Sequence, residues 1–401
     1  MISNLLNLKN DFPIFKKEDV VYLDTASTSQ KPQCVIDTIT EFYSKYNSNV
    51  HRGLYPWAEK ATSNYENART KIANFINTSS QNLIFTKGTT ESINFVSQSW
   101  GDSNVSKRSN IVVSEMEHHS NIVPWQILAQ KTGAELRYIP ISNSGELILD
   151  NIDSIIDQNT KIVSIIHQSN VFGTINSIGD IIDIAHSKGS VVLVDAAQSI
   201  AHQKIDVQDL NCDFLVFSGH KILGPTGVGC LYIKEDLLHN LEPYQTGGQM
   251  INQVYKDKST WNDIPFRFEA GTPNISGVLG LSSAIDYINE IGLEKIKLHN
   301  KALTEYCLKE LENIKDIDIY GHKNNAGPVI SFNIKDVHSY DLAQLLAQQN
   351  IFIRAGHHCA QPIMNKLNIQ SSNRLSLYIY NDFDDVNRLI AGIEKSVQIV
   401  S

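Results

Sequence analysis

Short apolar runs alternate with helix-like segments through the first two thirds of the chain. Six of these runs predict β-strands, at residues 82–86, 110–114, 161–166, 191–195, 214–217 and 230–233. Nearly continuous apolar strands separated by helices are typical of a mostly parallel sheet that is covered on both faces. We therefore predict an α/β fold built on such a sheet, and we expect ligands to bind at the carboxyl ends of its strands.

The last third of the chain has a different pattern. Residues 242–276 are rich in Gly, Pro, Gln and Asn and predict a long loop region, whereas residues 281–314 predict a long helix. The remainder predicts a smaller α/β unit with strands at 328–334, 351–354 and 374–379 and helices at 339–349 and 382–397, the last one capped by Asn381.

The length of the chain predicts two domains, because 401 residues exceed what one hydrophobic core normally supports. We place a large domain at residues 20–285 and a small C-terminal domain at residues 286–401. The N-terminal segment 1–19 is expected to join them.

Composition and charge exclude several classes of protein. Hydrophobic residues make up 42% of the chain and charged residues 19%, as in ordinary globular proteins. The formal net charge of -9 argues against a nucleic-acid partner, because nucleic-acid-binding surfaces are basic. No apolar stretch approaches the roughly 18 to 20 residues that span a bilayer, so we expect no membrane association.

The N-terminus and the cysteines indicate the compartment. Residues 1–11 lack the basic start and the apolar stretch of a secretion signal. The chain has five cysteines at irregular spacings, which fit neither a disulfide framework nor a zinc site: Cys34, Cys212, Cys230, Cys307 and Cys359. We therefore expect a cytoplasmic protein.

Lys221 occupies a position where a lysine requires an explanation. It follows the apolar run 214–217, stands beside Ser218 and His220, and precedes a glycine-rich loop. Burying an ammonium is costly unless its charge is paired or removed. One interpretation is therefore a neutral amine that forms a Schiff base with an aldehyde cofactor. The other is a lysine whose stem packs on the strand while its head reaches water.

An acidic residue, Asp195, also ends a fully apolar strand, one strand-helix-strand step before Lys221. It would either cap the next helix or pair with a protonated pyridine nitrogen. In the second role its carboxylate keeps a cofactor ring cationic and able to withdraw electrons. Gln198 would then reach the hydroxyl group of the ring.

The turn 87–92 is a candidate phosphate site. It opens a helix with the hydroxyls of Thr89 and Thr90 and with exposed amides at the positive end of the helix dipole. Two threonines at a helix start are equally consistent with a plain N-cap. Ser218 and His220 would add further donors. A phosphate site, an acid for a ring nitrogen and a lysine at a strand end together predict pyridoxal 5′-phosphate.

His118 and Arg374 are two further candidates. His118 follows a predicted strand and would stack on the cofactor ring and exchange protons, although a histidine pair is usually a structural feature. A metal site formed by His118 and His119 is disfavoured, because adjacent side chains rarely face one ion. Arg374 begins a strand, where its planar fork suits a substrate carboxylate or is an ordinary edge-strand side chain.

Cys359 lies in the short polar segment Arg354–Ala360. Most free cysteines are inert buried hydrophobes, but Arg354, His357 and His358 would favour a reactive thiolate here. Zinc binding by Cys359 and its two neighbouring histidines is disfavoured for the same geometric reason as at His118 and His119. We therefore expect no metal.

Taken together, these motifs resemble the group II (SufS-type) cysteine desulfurases, which are fold-type I pyridoxal phosphate enzymes of the class V aminotransferase superfamily. The resemblance runs nearly end to end. It is carried by the segments His51–Gly53, Gly88–Glu91, Met116–His119, Ser218–Lys221, Gly224–Gly227, Glu269–Asn274 and Arg354–Ala360. The last segment is highly specific. The resemblance implies a large, mostly parallel, seven-stranded sheet domain and a smaller C-terminal α/β domain.

The resemblance also implies a role for each candidate residue. By this resemblance, Lys221 anchors the cofactor covalently, Asp195 contacts its pyridine nitrogen, Gln198 contacts its ring oxygen, and His118 stacks on the ring and exchanges protons. The cofactor phosphate is bound by Thr89, Thr90, Ser218 and His220 and, across a homodimer interface, by Thr272. The substrate is bound by Arg374, Asn170 and Arg354, and Cys359 is the nucleophile.

The reaction implied by the resemblance converts L-cysteine to L-alanine and leaves a persulfide on Cys359, with the sulfur supplying iron-sulfur cluster assembly. Group II relatives typically need a separate sulfur acceptor, here expected to be SufE-like. One alternative is a selenocysteine lyase or another class V lyase or aminotransferase. Selenium leaves a carbon atom more easily than sulfur does, so the lyase reaction need not require Cys359. Another is a cofactor-binding scaffold without turnover, against which intact Lys221, Arg374 and Cys359 argue.

Overall fold

The computed structural model describes residues 8–321 and 327–400. Residues 1–7, which hold most of the stretch predicted to lack a secretion signal and the start of the predicted joining segment, lie outside the described residues, as do residues 322–326 and 401. Within the two described ranges, no helix combines the length and the apolar character needed to cross a bilayer.

The strands of the first two thirds agree with the sequence pattern, because all six predicted strands form and their ends match within one residue. In chain order the strands are β1 (Val21–Tyr22), β2 (Leu83–Thr86), β3 (Asn110–Ser114), β4 (Glu135–Ile139), β5 (Thr160–Ile166), β6 (Val191–Asp195), β7 (Phe214–Ser218), β8 (Gly229–Ile233), β9 (Ile251–Val254), β10 (Ser259–Trp261), β11 (Ile317–Tyr320), β12 (Val329–Ile334), β13 (Ile351–Phe352), β14 (Arg354–Gly356) and β15 (Ser372–Ser376).

The larger sheet has seven strands in the order β2-β8-β7-β6-β5-β3-β4. Strands β4, β3, β5, β6 and β7 are parallel, and β8 runs antiparallel to both β7 and β2. The prediction of a mostly parallel sheet is confirmed. The sequence pattern missed β4, because this edge strand carries exposed and half-buried side chains, among them Glu135 and Arg137, where a central strand has an apolar run.

Helices cover the larger sheet and form much of the rest of the chain. In chain order they are α1 (Gln33–Lys45), α2 (Pro56–Phe75), α3 (Thr89–Phe95), α4 (Asp102–Asn104), α5 (Val123–Thr132), α6 (Ile152–Ile155), α7 (Gly179–Ser187), α8 (Val207–Leu210), α9 (Glu235–Leu238), α10 (Ile275–Ile291), α11 (Leu293–Leu311), α12 (Ser339–Ala347), α13 (Gln361–Lys366) and α14 (Phe383–Val400), with a π-helical turn at Val96–Gly101 joining α3 to α4.

Two predictions for the middle of the chain need correction. The long helix predicted at 281–314 is two helices, α10 and α11, which are separated by Gly292 at a φ of 92°. Glycine adopts this φ without the steric penalty that a Cβ would impose. The predicted loop region 242–276 contains the antiparallel pair β9 and β10, whose side chains are mostly exposed and therefore give no apolar pattern.

The smaller sheet is antiparallel, with the strand order β11-β12-β15-β14. Strand β1 pairs in parallel with β13, and Asp24 forms an isolated bridge with Ser376. The chain near Asp24 is therefore held against β15. The strand predicted at 374–379 is β15, which begins at Ser372 and ends at Ser376.

The predicted cap of the last helix was wrong by one residue. The carboxylate of Asp382 accepts the backbone N–H of Asp385 at 2.9 Å, as an N-cap does. Asn381 is buried, and its side chain bonds the backbone carbonyl of Tyr22 and the carboxylate of Asp385. It therefore ties β1 to the start of α14.

The described part of the N-terminal segment contacts elements from the last third of the chain. Phe12 is fully buried, and its ring packs against the ring of Tyr287 on α10 and that of Tyr380, which follows β15. Lys9 forms an ion pair of 2.8 Å with Asp385 on α14. These three partners all lie in the predicted small domain, so the joining role of the segment and the domain limits stay predictions.

Candidate active site

A cavity of about 320 Å³ lies at the carboxyl edge of the larger sheet. The last residues of β5, β6 and β7 reach its wall, as expected for a ligand site in a parallel sheet. Twelve of the thirteen predicted site residues line it. The lining residues are Ala26, Ser27, Thr89, Thr90, His118, Ser120, Ile166, Asn170, Asp195, Ala197, Gln198, Ser218, His220, Lys221, Arg354, His358, Cys359 and Arg374.

One end of the cavity is rich in hydroxyl groups. The Ser218 hydroxyl accepts the backbone N–H of Thr89 at 2.8 Å and lies 2.8 Å from its hydroxyl, and Thr90 pairs with Ser120 at 2.7 Å. Gly88 precedes α3 at a φ of 156° and a ψ of 176°, a backbone region that glycine occupies almost exclusively. The N-cap position is Gly88, and no side chain caps the helix, so the plain N-cap interpretation of the two threonines is wrong. These donors at a helix start suit a phosphate group.

His220 lies near the same end and is a neutral donor. Burial, together with the charges of Lys221 and Lys31, lowers the pKa of its imidazole to about 4. A neutral ring can donate one hydrogen bond to an oxyanion. His220 therefore suits the predicted phosphate role.

Lys221 follows β7 and lines the cavity. Burial lowers the pKa of its ammonium to about 8, while Asp195 raises this pKa and Arg374 lowers it. A lower pKa increases the neutral fraction of the amine near neutral pH, and only the neutral amine is nucleophilic. The structure thus favours the reactive interpretation over a stem whose head simply reaches bulk water.

Asp195 ends β6 and is only 2% exposed. Its Oδ1 atom accepts the backbone N–H of Ala197 at 2.9 Å, so it does cap the local turn. Burial raises the pKa of its carboxyl group, which means that the charged form needs a cation close by. A protonated ring nitrogen supplies such a cation. Gln198 lies beside it and donates to the carbonyl oxygen of Ala26 at 2.9 Å.

His118 is held as a neutral ring. Its Nδ1 atom accepts the backbone N–H of Ser120 at 3.1 Å, and burial lowers its pKa to about 3. The proton of the neutral ring therefore resides on Nε2, which serves as a donor. The loop that carries it is anchored by Glu117, a fully buried acid whose carboxyl pKa burial raises to about 8. Glu117 accepts hydrogen bonds from Asn121 and from the backbone of Ile166.

Arg374 is 3% exposed and reaches the cavity from β15. Its guanidinium donates to Asp24 at 3.2 Å, to the Ser27 hydroxyl at 2.7 Å and to the carbonyl oxygen of Asn170 at 3.1 Å. Its buried Nε atom and the buried Oδ1 atom of Asn170 have no hydrogen-bond partner among the described residues. A buried unpaired donor is costly, and a substrate carboxylate would satisfy it.

Asp24 was missed by the sequence analysis, although it links both arginines of the site. Arg354, which is exposed, donates from Nε and from its Nη2 atom to this carboxylate at 3.1 to 3.2 Å. Asp24 follows the apolar run 20–23, which is the pattern that singled out Asp195. The same signal therefore identifies it. Ser27 and Ser120 carry no comparable signal.

Cys359 is exposed and lies between β14 and α13 on a tightly held turn. His358 and Cys359 have φ values of 51° and 55°, in the left-handed region that non-glycine residues rarely adopt. The backbone carbonyl of His358 accepts from Asn170 at 2.7 Å, and that of Cys359 accepts from the backbone N–H of His119 at 2.7 Å. The backbone that carries the Cys359 thiol is therefore held in place by hydrogen bonds.

The residues present fit pyridoxal phosphate. The cavity offers hydroxyl donors for a phosphate at one end, a buried carboxylate for a ring nitrogen and an amine of lowered pKa. Thr272 does not line this cavity. It borders a separate one of about 470 Å³, so its predicted role depends on a second subunit and stays a prediction.

Comparison with known proteins agrees with the site. Residues 21–389 match the family model described as "Aminotransferase class-V". The chain is 47% identical to the "Probable cysteine desulfurase" of Halalkalibacterium halodurans and 44% identical to the "Cysteine desulfurase" of Escherichia coli K12, in each case over 98% of both chains. The structure is similar to the crystal structure of the Escherichia coli cysteine desulfurase CsdA in its S-sulfonic acid form, with a TM-score of 0.93 over 99% of both chains, and the two sequences are 35% identical.

These matches confirm the predicted resemblance and the predicted cofactor. They cover nearly the whole chain, at identities far above those at which the fold alone is shared. The chain belongs to the class V aminotransferase family and, within it, to the pyridoxal phosphate-dependent cysteine desulfurases.

Proposed function

We propose that Cys359 is the nucleophile of this desulfurase and that it takes the sulfur of L-cysteine as a persulfide. The proposal rests on the observation that Cys359, Lys221 and Arg374 line the same cavity. An exposed thiol, an amine of lowered pKa and a buried guanidinium are three of the groups that this reaction requires.

The protein residues would hold the cofactor from three sides. The hydroxyls of Thr89, Thr90 and Ser218, with His220, surround the expected position of the phosphate. Asp195 and Gln198 would contact the ring nitrogen and the ring oxygen, and the ring of His118 would stack on the cofactor. When bound, pyridoxal phosphate supplies an aldehyde that captures amines and a ring that withdraws electrons from the substrate α-carbon.

Lys221 would anchor this aldehyde and, once displaced by substrate, act at its Nζ atom as the base for the α-proton. An amine with a pKa of about 8 is suited to accept and return a proton near neutral pH. Asp195 supports the step indirectly, since its carboxylate keeps the ring nitrogen protonated.

Arg374 would bind the substrate carboxylate, with Asn170 and Arg354 beside it. This places the substrate sulfur towards Cys359, whose thiolate attacks it. The new S–S bond forms while the C–S bond of the substrate breaks, and the electron pair of that bond returns to the substrate carbon. Protonation of the three-carbon product then gives L-alanine. Holding the two sulfur atoms in line is the main contribution of the fixed turn.

The persulfide would pass to a second protein. Cys359 is exposed, and its turn is anchored at His358 and at its own carbonyl group, so it has little freedom to carry sulfur elsewhere. We propose a SufE-like acceptor, delivery to iron-sulfur cluster assembly in the cytoplasm, and a homodimer in which Thr272 of one subunit completes the phosphate site of the other.

The test is alanine formation from L-cysteine with added reductant. Cys359→Ala should abolish it while the visible absorbance of the bound cofactor is unchanged, and Cys34→Ala, at a half-buried cysteine outside the cavity, serves as the control. Alanine formation by Cys359→Ala at the wild-type rate contradicts the assignment. The same variants on L-selenocysteine test lyase activity, in which the thiol is dispensable because selenium departs more readily.

A further inference from the structure

Cys359 also belongs to a cluster of three potential metal ligands. His119, His357 and Cys359 come from two loops that are far apart in the sequence, and one ligand atom of each lies within 4.8 Å of the other two. We propose that these three side chains bind Zn²⁺ or a similar soft divalent ion. The bound ion would inhibit the enzyme by occupying the Sγ atom of Cys359, a consequence that rests on the proposed nucleophile.

The chemistry of the three groups suits zinc. Imidazole nitrogen and thiolate sulfur are its preferred protein ligands, at bond lengths of about 2.0 to 2.3 Å. Tetrahedral ligands of this kind lie about 3.5 Å from one another, so only small side-chain movements are needed from the observed separation. Three protein ligands leave a fourth position for water. Zinc takes the thiolate form, so the proton of the thiol goes to solvent.

The two loops are already joined by hydrogen bonds, so the ion would not have to assemble them. The backbone N–H of His119 donates to the carbonyl oxygen of Cys359 at 2.7 Å, and the backbone N–H of Gln361 donates to Nε2 of His119 at 3.0 Å. The rings of His119 and His357 are 5.6 Å apart. His357 and Cys359 are exposed and His119 is half-buried, so the site is open to solvent.

The same hydrogen bonds limit the affinity. Each histidine ring already accepts a backbone N–H: His119 accepts from Gln361, and His357 accepts from Cys359 at 3.1 Å. A ring that binds zinc must give up this bond, turn over or change tautomer. We therefore infer reversible, inhibitory binding that is weaker than in a structural zinc site. The sequence alone could not reveal this cluster, because His119 is far from His357 and Cys359 along the chain.

The experiment is a calorimetric titration of the holoenzyme with Zn²⁺ in a non-chelating buffer. We expect one ion per chain, no binding to Cys359→Ser, and affinity about tenfold or more lower in His119→Gln and in His357→Gln. Glutamine keeps an acceptor for the backbone N–H but is a poor zinc ligand. Cys34→Ser and the exposed His239→Gln are the matched controls and should bind as wild type does.

Two further measurements separate the site from its consequence. Bound Zn²⁺ should slow alkylation of Cys359 by iodoacetamide, read as peptide mass, and cofactor absorbance verifies that each variant is folded. Zinc binding by the Cys359→Ser variant overturns the proposal. Wild-type zinc affinity in both histidine variants also overturns it, because the thiol of Cys359 would then bind zinc without the two histidines. Binding as expected, without slower alanine formation at a buffered free Zn²⁺ concentration, overturns the inhibition and counts against the nucleophile assignment.

Discussion

Arg374 is a buried guanidinium whose partners already fix its plane. Asp24, Ser27 and the carbonyl of Asn170 hold its two terminal nitrogens, and its Nε atom has no partner among the described residues. The Nε–H of this fixed, planar group can donate to a carboxylate in a direction that the point charge of a lysine cannot reproduce.

We expect Arg374→Lys to raise the KM for L-cysteine about 10- to 100-fold, equivalent to about 1.4 to 2.7 kcal/mol of substrate binding. Steady-state kinetics measure the change. Arg388→Lys is the matched control, because Arg388 lies on α14, is about 30% exposed and pairs with Asp19. A KM within twofold of the wild-type value for Arg374→Lys means that the substrate carboxylate binds elsewhere.

At the residue scale, the sequence predicted side chains whose position follows from one strand. Asp195, Ser218 and Lys221 stand at or just after the ends of buried strands, where the chemistry of a parallel sheet collects. His119 could not be connected with Cys359, because their approach depends on how two distant loops pack.

The turn after β2, where we propose that the phosphate binds, depends on a close approach between two backbone segments. Gly229 begins β8, and a Cβ atom placed there would lie 2.4 Å from the Cα atom of Gly88. A contact this short requires the backbone of the turn to move. The glycine in β8 therefore supports the turn that we propose binds the phosphate of the cofactor.

We expect Gly229→Ala to displace the turn and to weaken pyridoxal phosphate binding about tenfold or more, with a lower unfolding temperature. Equilibrium titration of the apoenzyme with the cofactor measures the affinity. Gly179→Ala is the control, since a Cβ at this first residue of α7 meets nothing within 4 Å. Equal cofactor affinity in both variants would show that the turn tolerates the added methyl group.

At the element scale, the apolar strands of the larger sheet were predictable because burial on both faces leaves a continuous apolar run. The edge strand β4 and the exposed pair β9 and β10 were not, because their stability comes from pairing with neighbouring strands. The break between α10 and α11 was signalled by Gly292, which the periodic pattern on either side obscured.

The whole molecule is held together by contacts between distant parts of the chain. His202 is 7% exposed; its Nδ1 atom accepts from Asn300 on α11 at 3.1 Å, and its ring packs edge-on to Tyr378 at 5.1 Å. Burial lowers the pKa of His202 from 6.5 to about 3. Because its folded pKa is below its unfolded pKa, the neutral ring contributes stability above pH 6.5 that is lost as the pH falls towards 3.

We expect the free energy of unfolding of the wild type, relative to His202→Gln, to fall by roughly 1 to 2 kcal/mol between pH 7 and pH 5. Glutamine can still accept from Asn300 but does not titrate. Urea denaturation of both proteins at the two pH values measures the difference. A difference that stays constant with pH would mean that His202 has the same pKa in the folded and the unfolded protein.

The sequence predicted two α/β units but not how they meet. Asp24, at the end of a short apolar run, reaches Arg374 only because β1 pairs with β13 and the chain then bridges to Ser376. Pairing between segments more than three hundred residues apart depends on the assembled fold and leaves no local pattern. The proposed role of Thr272 across a homodimer interface presents the same difficulty.

The central claim is that sulfur passes from L-cysteine to Cys359, and the mass of this residue tests it most directly. The holoenzyme is incubated with L-cysteine without reductant, trapped with an alkylating agent and digested, and the peptide that carries Cys359 is weighed. We expect a gain of one sulfur atom on this peptide and on no other cysteine-containing peptide. An unchanged mass at Cys359 while L-alanine accumulates would contradict it.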